Sequence, residues 1–182
     1  KNFMKKFILS IDQGTTNSRV MLFDKQFNII DIVNKELKQY FPNDGWVEHD
    51  AIEIWKSVKT LIKKILIKNS LKASQIISIG ITNQRETTIL WNKKTGVPIY
   101  KAIVWQDRRT SEICDQLKIK GYEKKFQRIT GLVIDSYFSA TKIIWILNKI
   151  KKSKKLIKEK NLLFGTVDTW LLWKLTEKKS YL

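Results

Sequence analysis

Asp12-Gln13-Gly14-Thr15-Thr16 separates two short apolar runs, Lys6-Phe7-Ile8-Leu9-Ser10-Ile11 and Ser18-Arg19-Val20-Met21-Leu22-Phe23. Both runs are rich in β-branched and aromatic residues, which predicts two β-strands joined by a Gly-centred turn. Such a turn brings backbone N–H groups and two hydroxyls to one point, with an acid at its entry. That composition suits a cradle for phosphate oxygens, with Asp12 placed to hold a metal ion or its waters. It also suits a plain hairpin turn in which Asp and Thr cap the backbone. On these residues alone both readings stand.

Four further segments bear on the choice. Ile79-Gly80-Ile81-Thr82-Asn83-Gln84-Arg85-Glu86-Thr87-Thr88 places an adjacent Arg–Glu pair at a second strand–turn–strand pattern. Ala102-Ile103-Val104-Trp105-Gln106-Asp107-Arg108-Arg109 ends a third strand with a Trp and a polar cluster. Beyond it lie Thr130-Gly131-Leu132-Val133-Ile134-Asp135-Ser136-Tyr137-Phe138-Ser139-Ala140-Thr141-Lys142 and Phe164-Gly165-Thr166-Val167-Asp168-Thr169-Trp170-Leu171-Leu172-Trp173-Lys174-Leu175-Thr176. In this order, and together with Gly45-Trp46-Val47-Glu48-His49-Asp50, the segments closely resemble the glycerol kinases. These belong to the sugar-kinase family that shares the actin/Hsp70-type ATPase fold. The resemblance runs from about residue 6 to residue 176.

The resemblance implies an α/β fold: a partial actin-like (ribonuclease H-like) ATPase domain, with a mixed sheet flanked by helices. It implies ATP and Mg²⁺ as cofactors and glycerol as the phosphoryl acceptor. Asp12, Gly14, Thr15, Thr16, Asn17 and Arg19 then form the phosphate side, with Asp12 holding Mg²⁺ through water. Arg85, Glu86, Trp105 and Tyr137 match the polyol-binding positions. A carboxylate accepting from vicinal hydroxyls, with a guanidinium and a phenol donating, pairs every polar group of glycerol. Taken without the resemblance, Arg19 reads as a surface strand residue, Arg85 and Glu86 as two solvated charges, and Trp105 and Tyr137 as core aromatics.

Three positions depart from the family pattern. Asn17 stands where Ser is usual, Ser136 replaces a Pro before Tyr137, and Ala140 replaces a Gly. The resemblance also implies that the family's general base, an Asp, lies beyond residue 182, as does an adenosine-binding second domain. Residues 1–182 are thus expected to be an N-terminal sugar-kinase domain, incomplete at its C-terminal end, without catalytic activity alone. Loss of the last part of the domain predicts exposed sheet edge and helix faces, and self-association through them.

Composition bounds the alternatives. A chain of 182 residues with 43% hydrophobic residues and 7 Trp is long and apolar enough for one sizeable core. No apolar run approaches the ~18 residues of a membrane span, and none reads as a leader. Cys114 has no partner for an internal disulfide, which makes the cytoplasm the expected location. The net charge is +18, but only five of the 35 basic residues are Arg (Arg19, Arg85, Arg108, Arg109, Arg128). Nucleic-acid readers concentrate basic residues on one stripe and use Arg on bases, so scattered Lys argues against a specific nucleic-acid role. A non-catalytic remnant of a glycerol kinase and a Lys-rich binder of nucleic acid or anionic surfaces are the alternative functions.

Periodicity predicts a third strand over 29–37 completing an antiparallel meander, then a helix starting at Asp50 with Glu53 as its capping-box partner. Trp55, Val58, Leu61, Ile62, Ile65 and Leu66 mark that helix's buried face. Residues 76–82 read as a buried strand, 87–91 as its partner across a turn, and 99–105 as a strand after the Lys93–Gly96 turn. Helices are expected over 108–118, 122–129, 140–150 and 168–175, with a strand at 162–164. The Lys-rich stretch 151–160 reads as a disordered linker. Gly80 and Gly165 mark points of close approach by backbone or ligand.

Overall fold

The computed structural model describes residues 5–178, and these form two compact units. One unit takes the chain to residue 38 and then residues 51–84; the other takes residues 39–50 and those from 85 onward. Length alone favours a single core; the fold divides the chain between two.

The first unit begins with β1 (Phe7–Gln13), β2 (Asn17–Phe23) and β3 (Ile29–Glu36), the antiparallel meander expected from the sequence. β4 (Glu48–His49) belongs to the second unit. Helix α1 (Ala51–Lys68) then carries the chain back so that β5 (Ile76–Asn83) lies parallel to β1. The strand order is β3-β2-β1-β5, a mixed sheet with a helix on one face. Strict alternation places Phe7, Leu9, Ile11 and Gln13 of β1, and Ser18, Val20 and Leu22 of β2, in the buried register. Helix α1 buries Ile54, Val58, Leu61 and Ile65. Its stripe is centred about one residue from the expected one, leaving Trp55, Ile62 and Leu66 half-exposed.

β5 is not the buried strand the apolar run suggests. It is an edge strand, and Ile77 and Ile79 remain exposed, at 53% and 42%. Nothing among the described residues pairs with its outer edge, so an apolar composition does not bring burial. Gly80, in the same strand, has open space where a Cβ would lie, so no described residue approaches it closely.

In the second unit, β6 (Ile89–Asn92) does not pair across a turn with the preceding strand. Its partner is β8 (Leu162–Gly165), antiparallel and some seventy residues distant. Fully buried Trp91 explains the choice, since it packs on Trp170 and Trp173 with ring centroids 5.2 and 5.5 Å away. Residues 99–105 form only the two-residue strand β7 (Ala102–Ile103), which pairs with β4. Helices α2 (Ser111–Ile119), α3 (Glu123–Thr130) and α4 (Ser139–Lys149) lie where periodicity predicts them. The Lys-rich stretch is no linker: α5 (Ser153–Lys158) forms there, and buried Ser153 donates to Leu147 O at 3.0 Å. Helix α6 (Val167–Leu175) closes the aromatic core. Gly165 does mark a close approach, because a Cβ there would lie 2.6 Å from the Thr169 side chain.

Candidate functional site

The turn at 14–16 is built from the hairpin upward. β1 and β2 pair as far as Gln13 opposite Ser18, and Gly14 N–H donates to Asn17 O at 2.8 Å. A Cβ on Gly14 would lie 3.3 Å from that oxygen, tighter than ordinary contact, so the turn favours glycine. Leu37 N–H holds the other side of the loop through Thr16 O, at 2.9 Å. Thr15 is half-exposed and Thr16 exposed, at the end of an otherwise buried register.

Two buried amides, which sequence reading did not single out, brace this turn. Gln84 Nε2 donates to Gln13 Oε1 at 2.9 Å, and Gln13 Nε2 donates to Gly14 O at 2.8 Å. Gln84 N–H also donates to Gln13 O, at 2.7 Å. Gln13 was open to inference, being the polar residue in the inward register of Phe7, Leu9 and Ile11. A buried amide must find partners, and these two find each other.

Asp12 and Arg19 are cross-strand neighbours, and Thr82 of β5 stands in register with Asp12. All three lie in the less buried register of the sheet. Among the described residues, no ion pair links Asp12 to Arg19, so neither charge is spent on the other. No group of three or more His, Cys, Asp or Glu residues able to hold a metal ion occurs among the described residues. Asp12 therefore offers one carboxylate, which fits Mg²⁺ held mainly by water and phosphate and does not fit an all-protein cage.

In the second unit the chain reaches Glu86 in a left-handed conformation, φ 63°. This region is strained for a residue with a Cβ, by about 1 kcal/mol or more. Hydrogen bonds hold it there: Thr88 Oγ1 donates to Glu86 O at 3.1 Å, and Ser139 Oγ lies 3.1 Å from the same oxygen. The Ser139 hydroxyl is shared with Glu86 Oε2 at 3.0 Å, and Ser139 N–H donates to Oε2 at 3.1 Å.

Trp105 and Tyr137 meet edge-to-face, with centroids 5.8 Å apart, and both are half-buried. Trp105 N–H donates to Thr87 Oγ1 at 3.3 Å, next in sequence to Glu86. Glu86, Trp105 and Tyr137 are thus gathered around the start of α4. Arg85 does not join them. It is exposed, and among the described residues it forms no ion pair or hydrogen bond. Glu86 also borders a cavity of about 380 Å³ lined by Leu117, Phe126, Val133 and Ile144, to which Arg85, Trp105 and Tyr137 do not contribute.

A buried lysine, also missed from sequence, underlies the Tyr137 loop. Lys142 Nζ donates to Ser136 O and, at 2.9 Å, to Tyr137 O. Burial pulls its pKa from 10.5 down to about 8, partly opposed by the charges of Asp107, Glu86 and Asp135. Its spacing of four from buried Ile146 was the available signal. A second buried charge group follows Trp105. Arg109 pairs with Glu48 at 2.8 Å and Asp107 at 2.7 Å, and its guanidinium lies 3.8 Å over the Trp46 ring.

Residues 7–181 match the N-terminal domain of the FGGY family of carbohydrate kinases. The chain belongs to that family. As an FGGY N-terminal domain it is 54% identical over 172 residues to the glycerol kinase of Desulforamulus reducens. That match covers 94% of this chain and 34% of the relative. It is 52% identical to the glycerol kinase of a Geobacillus species over 178 residues, 98% of this chain and 36% of the relative. Its backbone superposes on the crystal structure of Plasmodium falciparum glycerol kinase with ADP at TM-score 0.87. The identity there is 37%, over 95% of this chain and 35% of that one. A gluconate kinase from Lactobacillus acidophilus shares the fold at TM-score 0.79 and 20% identity. This FGGY domain therefore spans about a third of the length of the relatives it matches. Among its described residues no helix is long and apolar enough to cross a membrane.

Proposed function

We propose that the chain is the N-terminal part of an ATP:glycerol phosphotransferase of the cytoplasm, carrying most of the polyol site and the phosphate turn. The observation that carries this reading is 52–54% identity to glycerol kinases across 94–98% of the chain. The Glu86 carboxylate held by Ser139, two residues after Tyr137, and the Trp105–Tyr137 ring pair support it. In the reaction, a terminal hydroxyl of glycerol forms a bond to the γ-phosphorus of ATP as the bond to the ADP oxygen breaks. The hydroxyl proton passes to a base that we place outside residues 1–182.

Glu86 Oε1, which accepts no hydrogen bond among the described residues, would take up glycerol hydroxyls while Oε2 stays on Ser139. Tyr137 would donate its phenol, and Trp105 would wall the carbon skeleton. Arg85 would swing in from solvent, since its side chain is exposed. Gly14, Thr15, Thr16 and Asn17 would present N–H and hydroxyl donors to phosphate oxygens, and Arg19 would offset their charge. Asp12 would hold Mg²⁺ through water, and the ion would supply charge neutralisation on the phosphates. Exposed Ile77 and Ile79 in one unit, and Ile119, Ile129 and Val133 in the other, support self-association of the chain at high concentration.

A chimera tests the reading. This chain replaces the matching segment of the Desulforamulus reducens kinase, and glycerol 3-phosphate formation is measured. The chimera is expected to turn over, Glu86→Gln in it to lose roughly a hundredfold or more, and the 182-residue chain alone to show no activity above background. A folded, ATP-binding chimera that leaves glycerol untouched would overturn the proposal.

A further inference from the structure

The geometry points to Ser139 and Lys142, at the start of α4, as the positioning residues of the polyol site: one fixes the Glu86 carboxylate, the other the backbone of Tyr137. The inference deepens, and rests on, the glycerol reading of that site. Neither residue needs to touch glycerol to act.

Tyr137 is flanked by two peptide groups, and Lys142 Nζ takes the carbonyl oxygen of each, Ser136 O and Tyr137 O. The first of those peptides is held at its other end as well, because Tyr137 N–H donates to Asp135 Oδ1 at 2.7 Å. With both flanking peptides pinned, the φ and ψ of Tyr137 are set, and so is the direction its ring leaves the backbone. The ring then meets Trp105 edge-to-face at 5.8 Å. A fully buried ammonium is a demanding way to hold a loop, since it needs every acceptor it is given. Ser136 here gives the backbone none of the rigidity of a proline, so restraint comes from these hydrogen bonds, of Asp135 within the loop and Lys142 beneath it.

Ser139 works on the other partner. Its N–H and hydroxyl converge on one oxygen of Glu86, Oε2, at 3.1 and 3.0 Å. Two donors on one oxygen restrain the carboxylate and leave Oε1, which accepts no hydrogen bond among the described residues, open to a ligand hydroxyl. The same hydroxyl reaches Glu86 O, 3.1 Å away, and so helps to hold the left-handed backbone. One turn of helix thus sets both an acceptor and a donor before any ligand arrives, which reduces the ordering that binding requires.

The test uses the 182-residue chain. NMR reads the ring–ring contacts of Trp105 and Tyr137 without ligand, and a glycerol titration follows the side-chain resonances of Glu86 and Tyr137. Lys142→Met is compared with Ile146→Ala, which lowers stability from the same helix without touching the loop. Ser139→Ala is compared with Ser139→Thr, which keeps the hydroxyl. Lys142→Met is expected to lose the ring contacts that Ile146→Ala keeps. Ser139→Ala is expected to weaken glycerol about tenfold, and Ser139→Thr to stay within about twofold of the parent.

Ring contacts retained in Lys142→Met, with equal glycerol affinity in the two Ser139 variants, would overturn the inference. If Lys142→Met does not fold, the Ser139 pair decides, and equal affinities overturn it. A parent chain that shows no glycerol-dependent shift sinks the polyol reading instead, while the ring contacts still judge Lys142.

Discussion

The turn at Gly14, proposed for phosphate, and the Glu86–Trp105–Tyr137 cluster, proposed for the polyol, are held by different physics. The turn is a hairpin whose geometry comes from backbone pairing, steadied by the neutral clamp of Gln13 and Gln84. The proposed polyol residues stand on buried charge: Lys142 under the Tyr137 loop, and Arg109 between Glu48 and Asp107 just after Trp105. Neutral amides are modest contributors whose loss is local, whereas a buried charge whose partner is removed destabilises everything packed around it. The first region should therefore tolerate substitution, and the second should not.

Arg109→Met is the strongest way to break the contrast. It leaves Asp107 and Glu48 buried without their cation and removes the stack on Trp46. A loss of about 3–5 kcal/mol is expected, read as a large fall in the denaturant midpoint. A midpoint shift as small as that of a surface substitution would show that the cluster is dispensable.

Acid is the next lever. Burial pulls the His49 imidazole in β4 from 6.5 down to about 4, so the fold keeps it neutral where the unfolded chain binds a proton. Stability is then complete above pH 6.5, falls as pH drops from 6.5 to about 4, and levels off below that. The total is on the order of 3 kcal/mol. His49→Gln should flatten this part of the profile in a pH series of unfolding curves.

Gln84→Leu probes the first region. It removes both Nε2 contacts and leaves Gln13 Oε1 buried without its donor, for about 1–2 kcal/mol. Amide exchange at Gly14 should quicken while the Trp105–Tyr137 contacts stay unchanged. Asn17→Ser, the change toward the family pattern, should move stability by less than about 0.5 kcal/mol, because Gly14 N–H bonds the backbone oxygen of residue 17 and not its side chain. A thermal shift beyond that would give the Asn17 side chain a structural part in the turn.

Local pattern determined much of this protein. The β1–β2–β3 meander, helices α2, α3, α4 and α6, and the turn at Gly14 follow from strand alternation, helical spacing and one glycine, all properties of neighbouring residues. The resemblance of Asp12–Thr16, Arg85–Glu86, Trp105 and Tyr137 to a kinase pattern was likewise legible along the chain. Tertiary structure decided what depends on residues far apart in sequence. β6 chose β8 because Trp91 fits against Trp170 and Trp173, and no rule of local propensity contains that contact. β5 reads as apolar and buried, yet burial requires a neighbour, and a strand's own residues do not supply one. Ser139, Lys142 and Gln84 look like ordinary polar residues in the sequence. Lys142 and Gln84 acquire their parts only when folding closes water out around them, since a buried donor must then find acceptors within reach. Half-buried Ser139 acquires its part when the fold brings it against Glu86, 53 residues away in sequence.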